Sequence, residues 1–300
     1  MKILIIGTLV KDIIRHFDGT VSRSLGGLNY TIQALLSLTG AKDVILPLSY
    51  VGEDIYDEIL ETYRNCRQVR SDGFILTARP NNAVELIYTD SAERQERSCY
   101  PFPEIPFSVI EPFLEVDVIL VNMISGWDIR LRTLVEIRNR FSGLISLDLH
   151  SLTLGRRDDG LRFPDNIEAR GWIENCDIIQ ANEREFRAIG GDPENPELFF
   201  REICFKEDKI FNLTRSKYGS SSFYLQNGRL RRIDKTPPPE MKIVDPTGCG
   251  DAFMAAFIYD YFKNRAIEKA AKTANYRAAY TGTFRGLPAL DYCNRNKGVK

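Results

Sequence analysis

Histidine is scarce. The 300 residues hold only two, His16 and His150, too few for a histidine-rich metal centre. The six cysteines, Cys66, Cys99, Cys176, Cys204, Cys249 and Cys293, are spread along the chain without a C-x-x-C pair. That argues against a zinc site or a disulfide framework and predicts reduced thiols in a cytosolic protein. Neither sign of charge is in excess: 40 basic residues face 41 acidic ones, for a formal net charge of -1. Nothing in that balance points to nucleic acid or a membrane surface as a partner. Arg229, Arg231 and Arg232 alternate like the wet face of a strand. No apolar run is long enough to cross a bilayer. The apolar start, Met1 to Gly7, is too short for a signal peptide and has no small-residue cleavage site after it. It reads as a buried first strand, and the expected location is the cytoplasm. Two catalytic signatures are also missing. No G-x-x-x-x-G-K-[ST] occurs, which disfavours a P-loop enzyme, and no G-x-S-x-G elbow, which disfavours a serine hydrolase.

What is present is 43% hydrophobic and 27% charged residues, a composition suited to a globular chain with a sizeable core. Short apolar runs recur at 2–6, 44–51, 118–121, 144–149, 177–181 and 209–214. Helical patterns lie between or after them, at 28–38, 53–65, 129–141, 183–189 and 197–205. Several runs are apolar almost throughout, as expected when both faces of a sheet are covered. The alternation predicts an α/β fold with a central, mostly parallel sheet flanked by helices. We read residues 1–300 as one domain. Segments 12–25 and 83–100 break the alternation. The first carries an Asp-Gly turn signal at Asp18-Gly19, and the second reads as two strands around 89–93. Together they predict a small β-sheet projecting from the main domain, a candidate lid; an ordinary surface hairpin is the plainer alternative.

The densest chemical signal is Val244-Asp245-Pro246-Thr247-Gly248-Cys249-Gly250-Asp251-Ala252-Phe253. It follows the β-like stretch 241–244 and opens an apolar helix from Ala252 to about Phe262. Glycines at such a turn let backbone approach a ligand, and a helix start offers unpaired N–H groups and a positive dipole end to an anion. Asp251 falls in the first helical turn. There it either caps the helix, worth about 0.5–2 kcal/mol, or takes a proton from a hydroxyl attacking a bound phosphate. Gly248-Cys249-Gly250 also begins a dinucleotide-type G-x-G, but Phe253 stands where the third glycine belongs, and the motif lies late in the chain.

The stretch Asp245 to Asp251 resembles the D-T-x-G-A-G-D signature of the PfkB, or ribokinase-like, carbohydrate kinases, with Pro246 and Cys249 as variations. The resemblance implies a ribokinase-like fold with a β-sheet lid and ATP-dependent phosphorylation of a hydroxyl on a sugar or related small molecule. In it Asp251 is the general base, and Gly248, Cys249 and Gly250 line an anion hole through their backbone. The Cys249 thiol, at a helix N-terminus, is expected to have a lowered pKa and mild sensitivity to oxidation. Leu25-Gly26-Gly27-Leu28-Asn29 is similar to the family segment lying against the substrate, implicating Gly26, Gly27 and Asn29; a plain glycine turn would read the same. Asp12, after the first strand, resembles the family aspartate that binds sugar hydroxyls; otherwise it is a solvated loop residue. Asn182-Glu183-Arg184-Glu185 resembles the N-x-x-E motif that organises Mg2+ and phosphate. It places Asn182 and Glu185 there, with Glu185 reaching the metal through water; the alternative is a capped helix start. Residues 213–219 resemble the T-x-G-x-x-G nucleotide loop, with Thr214 and Gly219 matching and Ser216 replacing the first glycine. Asn275 resembles a residue near the adenine. The resemblance leaves a monovalent-cation requirement open and suggests a homodimer through the lid.

Asp148 and Asn122 end apolar strands, where ligands gather in open α/β sheets. Arg94, Arg97 and the 101–106 stretch match nothing in the family pattern and lie where substrate choice is expected. A nucleoside kinase of the same fold, and a non-catalytic sugar or nucleotide sensor, remain the competing readings.

Overall fold

The protein is described here by a computed structural model covering residues 1–15, 19–88, 94–203, 206 and 208–287. Of the expected Asp18-Gly19 turn only Gly19 is described, with φ 84°, and the expected turn at 89–93 lies outside the described residues. A nine-stranded sheet runs, from edge to edge, β15 (Arg229–Lys235), β14 (Ser220–Gln226), β13 (Ile210–Thr214), β12 (Ile178–Asn182), β9 (Leu144–Asp148), β8 (Val118–Asn122), β1 (Lys2–Ile6), β4 (Val44–Gly52) and β5 (Phe74–Thr77). From β13 to β5 every pairing is parallel; β14 and β15 are antiparallel. A separate four-stranded sheet has the order β3 (Val21–Gly27), β2 (Leu9–Arg15), β6 (Ala83–Tyr88) and β7 (Arg94–Cys99). Its strands are the two segments that broke the alternation. A two-stranded ribbon joins β10 (Leu154–Arg156) to β11 (Arg162–Pro164).

The helices are α1 (Leu28–Leu36), α2 (Tyr56–Tyr63), α3 (Phe107–Ile110), α4 (Leu131–Arg140), α5 (Arg170–Glu174), α6 (Glu183–Ala188), α7 (Pro196–Glu202), α8 (Cys249–Asn264) and α9 (Ile267–Gly282). Strand β1 shows why the main sheet needs both layers. Ile3 and Ile5 pack with α1, α2, α8 and α9, while Leu4 and Ile6 pack with α4 to α7. All four are fully buried. Period-two alternation with both faces apolar is the signature of a doubly covered parallel strand. None of the described helices is long and apolar enough to cross a membrane.

Two expectations are corrected. Residues 241–244 form no strand: the N–H groups of Val244 and Asp245 donate to the Gly282 carbonyl (2.8 and 3.1 Å), so this apolar stretch is tied to the end of α9 and joins no ladder. Cys66 is disulfide-bonded, against the expectation of reduced thiols throughout; Cys99, Cys176 and Cys249 are free.

An aromatic cluster fixes α6 and α7 on the sheet. Phe186 meets Phe199 edge-on at 4.9 Å between ring centroids and Phe211 at 5.4 Å, and Phe200 meets Phe223 at 4.8 Å. Phe186 is fully buried and adjoins Glu185. Phe186→Ala should therefore cost about 3–5 kcal/mol, read as a lowered urea midpoint; an unchanged midpoint would mean that the cluster does not hold α6.

Candidate active site

A row of polar side chains ends the central strands. Asn122 pairs in register with Asp148, Asp148 with Gln180, and Asn182 with Thr214. This is the carboxyl edge of the sheet, where an open α/β fold collects ligands. The N-terminus of α8 closes on that row. Gly248 is its N-cap, with φ 78° and no side-chain cap bond. Asp251 therefore does not cap its own helix. It is only 5% exposed, and Asn122 Nδ2 donates to its Oδ1 at 2.6 Å while also reaching Thr31 Oγ1 at 3.1 Å. Gln180 Nε2 bridges Asp148 Oδ2 (2.8 Å) and the Gly250 carbonyl (3.0 Å), tying helix to strand ends.

Two cavities meet at this point. One, of about 370 Å³, is lined by Asp12, Gly27, Tyr30 and Glu96, and by Asp148, His150, Glu185 and Asp251. The other, of about 570 Å³, has an apolar wall of Pro237, Ile243, Phe253, Ala278 and Ala279 and a polar rim including Arg184 and Lys217. Asn182, Thr214, Pro246 and Gly250 line both.

The carboxylates are electrostatically crowded. Burial pushes the Asp251 pKa above the ordinary range, against the opposing effects of His150 and the Asn122 amide. Burial also lifts Asp148 well above its usual value, helped by the charges of Glu185 and Asp251. Glu185 is pushed up to about 7, first by burial and then by Asp251, while His150 and the Asn182 N–H pull it down. His150 is subject to opposite pulls: burial lowers its pKa, but Asp251, Asp148, Glu185 and Glu96 outweigh it and raise it. Among the described residues no group of three or more His, Cys, Asp or Glu forms a ready metal cluster.

The expected residues fall into place unevenly. Asp12 lines the smaller cavity, and Gly26 makes room for it: a Cβ on Gly26 would collide with the Asp12 carboxylate. Gly27 has φ 59° and lines the same cavity. Asn29 does not. It is buried in the core, where its Oδ1 accepts from Tyr63 Oη at 2.7 Å. The adjacent Tyr30 is the residue that faces the cavity. Asn182 and Glu185 make a complete capping box at α6 and also line the smaller cavity. Thr214 and Gly219 line the larger one. Ser216, at the glycine position of the loop, keeps a left-handed φ of 50°, a conformation uncommon outside glycine. Asn275 lines the larger cavity with its Nδ2 held by Ser220 Oγ and the Ala271 carbonyl, both at 2.8 Å. The Cys249 N–H donates to the Pro246 carbonyl at 3.2 Å. Its thiol is raised to about 12 by burial and by Asp245 and Asp251, correcting the expected lowering. Burial and two carboxylates outweigh the helix end here.

Sequence reading missed His150, Gln180, Tyr30 and Glu96. Two of them left a trace: His150 is one of two histidines and follows Asp148 by two residues, and Gln180 interrupts an otherwise apolar strand.

An open, mostly parallel sheet with a side sheet, and a glycine-capped helix presenting a buried aspartate between two cavities, define the ribokinase class of fold. Solved structures agree over the whole chain. A pyrophosphate-dependent kinase in the ribokinase family has a TM-score of 0.75 at 17% identity, covering 100% of both chains. Arabidopsis thaliana ribokinase complexed with ribose and ATP has a TM-score of 0.71 at 17% identity, covering 99% of both. Residues 162–287 match the pfkB family carbohydrate kinases. That match spans less than half of the chain. Among curated relatives, a cytidine kinase of Thermococcus kodakarensis is 23% identical over 93% of this chain and 95% of its own length. An uncharacterized sugar kinase of Archaeoglobus fulgidus is 38% identical over 24% of this chain, and the match spans 30% of that protein.

The glycine geometry has a direct test. A Cβ on Gly248 would collide with the Tyr30 ring, and φ 78° is strained for alanine. Gly248→Ala should lower kcat/KM by at least about 10²-fold while the fold survives by circular dichroism; near-normal kcat/KM would show that the turn tolerates displacement.

Proposed function

We propose that the protein transfers the γ-phosphoryl group of ATP to a hydroxyl of a sugar or nucleoside, with Asp251 as general base. The observation that carries this reading is the position of Asp251: a buried carboxylate, oriented by Asn122, in the first turn of α8 where the two cavities meet. The acceptor would occupy the smaller cavity, its reacting hydroxyl facing Asp251, with Asp12 and Gly27 along its length. The donor would occupy the larger cavity, its base against the apolar wall and its phosphates toward Gly248 and Gly250. Those residues lie at the positive end of a sixteen-residue helix, where N–H groups stabilise charge on the transferring phosphoryl. The weak bond from Cys249 N–H to Pro246 would open to add a third donor.

Mg2+ would be held by Glu185 and Asn182 through water. Glu185 Oε1 and Oε2 each already accept one hydrogen bond from Asn182, which leaves lone pairs for water and suits an ion that keeps much of its hydration. When bound, the ion would offset charge on the donor phosphates and relieve the carboxylate crowding. The four-stranded sheet supplies Val10, Asp12, Val84, Leu86 and Glu96 to the acceptor cavity, so it would act as a lid that excludes water during transfer. Its edge strand β3 would offer a second copy a route to pair.

The decisive experiment measures ADP release with ATP and Mg2+ across sugars and nucleosides, with pyrophosphate as a competing donor. Asp251→Asn should lower kcat by about 10²-fold or more; full activity in that variant would remove Asp251 from the role. Acceptor or ATP binding without turnover would favour the sensor. A pH profile gives an independent check. Asp251 accepts a proton only when ionised, and its pKa is raised. The rate should therefore fall as pH drops through that raised pKa, with the acid limb of kcat/KM above the ordinary carboxylate range. A limb at about pH 4, the ordinary carboxylate value, would mean that an unperturbed group controls the rate.

A further inference from the structure

Phosphoryl transfer leaves two groups in the acceptor cavity without a task, Glu96 and His150. Glu96 lies on β7 opposite Leu86, and Asp12 lies on β2 opposite Val84. Glu96, Leu86, Val84 and Asp12 all line the cavity, whereas the intervening Glu85 pairs with Arg15 away from it. Glu96 is half-buried and makes no hydrogen bond or ion pair with the described residues. His150 follows β9 with its backbone in the left-handed region, φ 38°. Its Nδ1 is engaged by Ser151 Oγ at 2.9 Å, and no described residue bonds Nε2.

The charge inventory of the cavity is one-sided. Asp12, Glu96, Asp148, Glu185 and Asp251 line it, against one imidazole, and no lysine or arginine does so among the described residues. Carboxylates accept from hydroxyl donors but repel anions. A phosphate or carboxylate on the acceptor calls for a basic fork that this cavity lacks. Resting on the kinase reading above, we propose that Glu96 and His150 select the acceptor: Glu96 and His150 Nε2 bind its hydroxyls, and the acceptor is an uncharged polyhydroxyl compound, a sugar or nucleoside, not a sugar phosphate or sugar acid. Val84, Leu86, Ile124 and Tyr30 supply the apolar surface for its ring face.

A neighbouring cavity of about 630 Å³ shares Asp12, Tyr30, Leu86 and Thr247 with the first, and Arg23 and Arg285 line it. Arg23 pairs with Ile13, between the Ser22–Ile14 and Ser24–Asp12 pairs, so strand alternation sets it on the face opposite Asp12. Arg285 is exposed beside Gly286. An anionic acceptor would have to reach this outer rim.

The test compares matched acceptors, ribose with ribose 5-phosphate and cytidine with cytidine monophosphate, plus gluconate. It reads ADP release and, separately, calorimetric binding. Only the uncharged compounds should turn over. Glu96→Gln and His150→Asn, the latter chosen because asparagine tolerates the left-handed backbone, should each raise acceptor KM about tenfold or more with the KM for ATP little changed; kcat should hold in Glu96→Gln, whereas His150→Asn also removes charge that opposes protonation of Asp251 and should lower kcat. A merely structural role would lower kcat and stability together instead. Preference for a phosphorylated or acidic compound, or unchanged acceptor KM in both variants, overturns the proposal. If nothing turns over but an uncharged compound binds the wild type and binds Glu96→Gln tenfold or more weakly, selection by Glu96 stands and the kinase reading falls. Neither turnover nor binding with any compound overturns both.

Discussion

Everything at the site depends on keeping the Asp251 carboxylate out of water yet able to ionise. A buried carboxylate without partners simply takes up a proton. Here the Asn122 amide donates to it at 2.6 Å, the first turn of α8 directs N–H dipoles its way, and His150 contributes opposing charge. Burial still prevails, and the pKa is raised. That balance suits a base, since a carboxylate fully compensated by its partners would be too weak to take a proton from a hydroxyl.

The sheet determines which groups can take part. Parallel strands bring their carboxyl ends to one edge, so Asn122, Asp148, Asn182 and Thr214 line up although they are far apart in sequence. Gln180 then links that row to α8 through a single amide shared by Asp148 and Gly250. The arrangement is stiff where the chemistry would occur. It relies on the packing beneath it, where Phe186 holds the helix that carries Glu185.

Much of this was legible in the sequence where one short segment holds both the backbone signal and the chemical group. Gly248 to Asp251 is such a segment, and the α/β alternation and the two segments of the smaller sheet were equally local. Asn29 shows the limit. Successive residues on a helix point about 100° apart, so in α1 Tyr30 faces the cavity and Asn29 faces α2. Glycines before a helix announce the helix, not its rotation. The Asn122–Asp251 bond spans 129 residues, and Glu96 reaches the cavity only through the register of β6 and β7. Such contacts depend on topology and register, which no local pattern encodes. The apolar stretch 241–244 misled for a related reason: its last N–H, on Val244, donates to the end of α9 and that of Met241 to the Pro238 carbonyl, and apolar composition alone does not distinguish that from a strand ladder.

The two cavities draw on different parts of the fold, and this separates two kinds of recognition. The larger cavity, the proposed donor side, is built from α8, α9 and the loops around β13 to β15. The smaller cavity, the proposed acceptor side, is built from strand ends and from the four-stranded sheet, which contributes Asp12 and Glu96. Among the described residues only Asn182, Thr214, Pro246 and Gly250 line both. Substitutions on the small sheet can therefore change the acceptor while the donor site and the aspartate stay in place. If the same sheet acts as the proposed lid, an acceptor that fits it would also draw the cover closed over the bound phosphates. On that reading, selection of the acceptor and protection of the phosphoryl group would be one physical event, the docking of a β-sheet face onto the end of a helix.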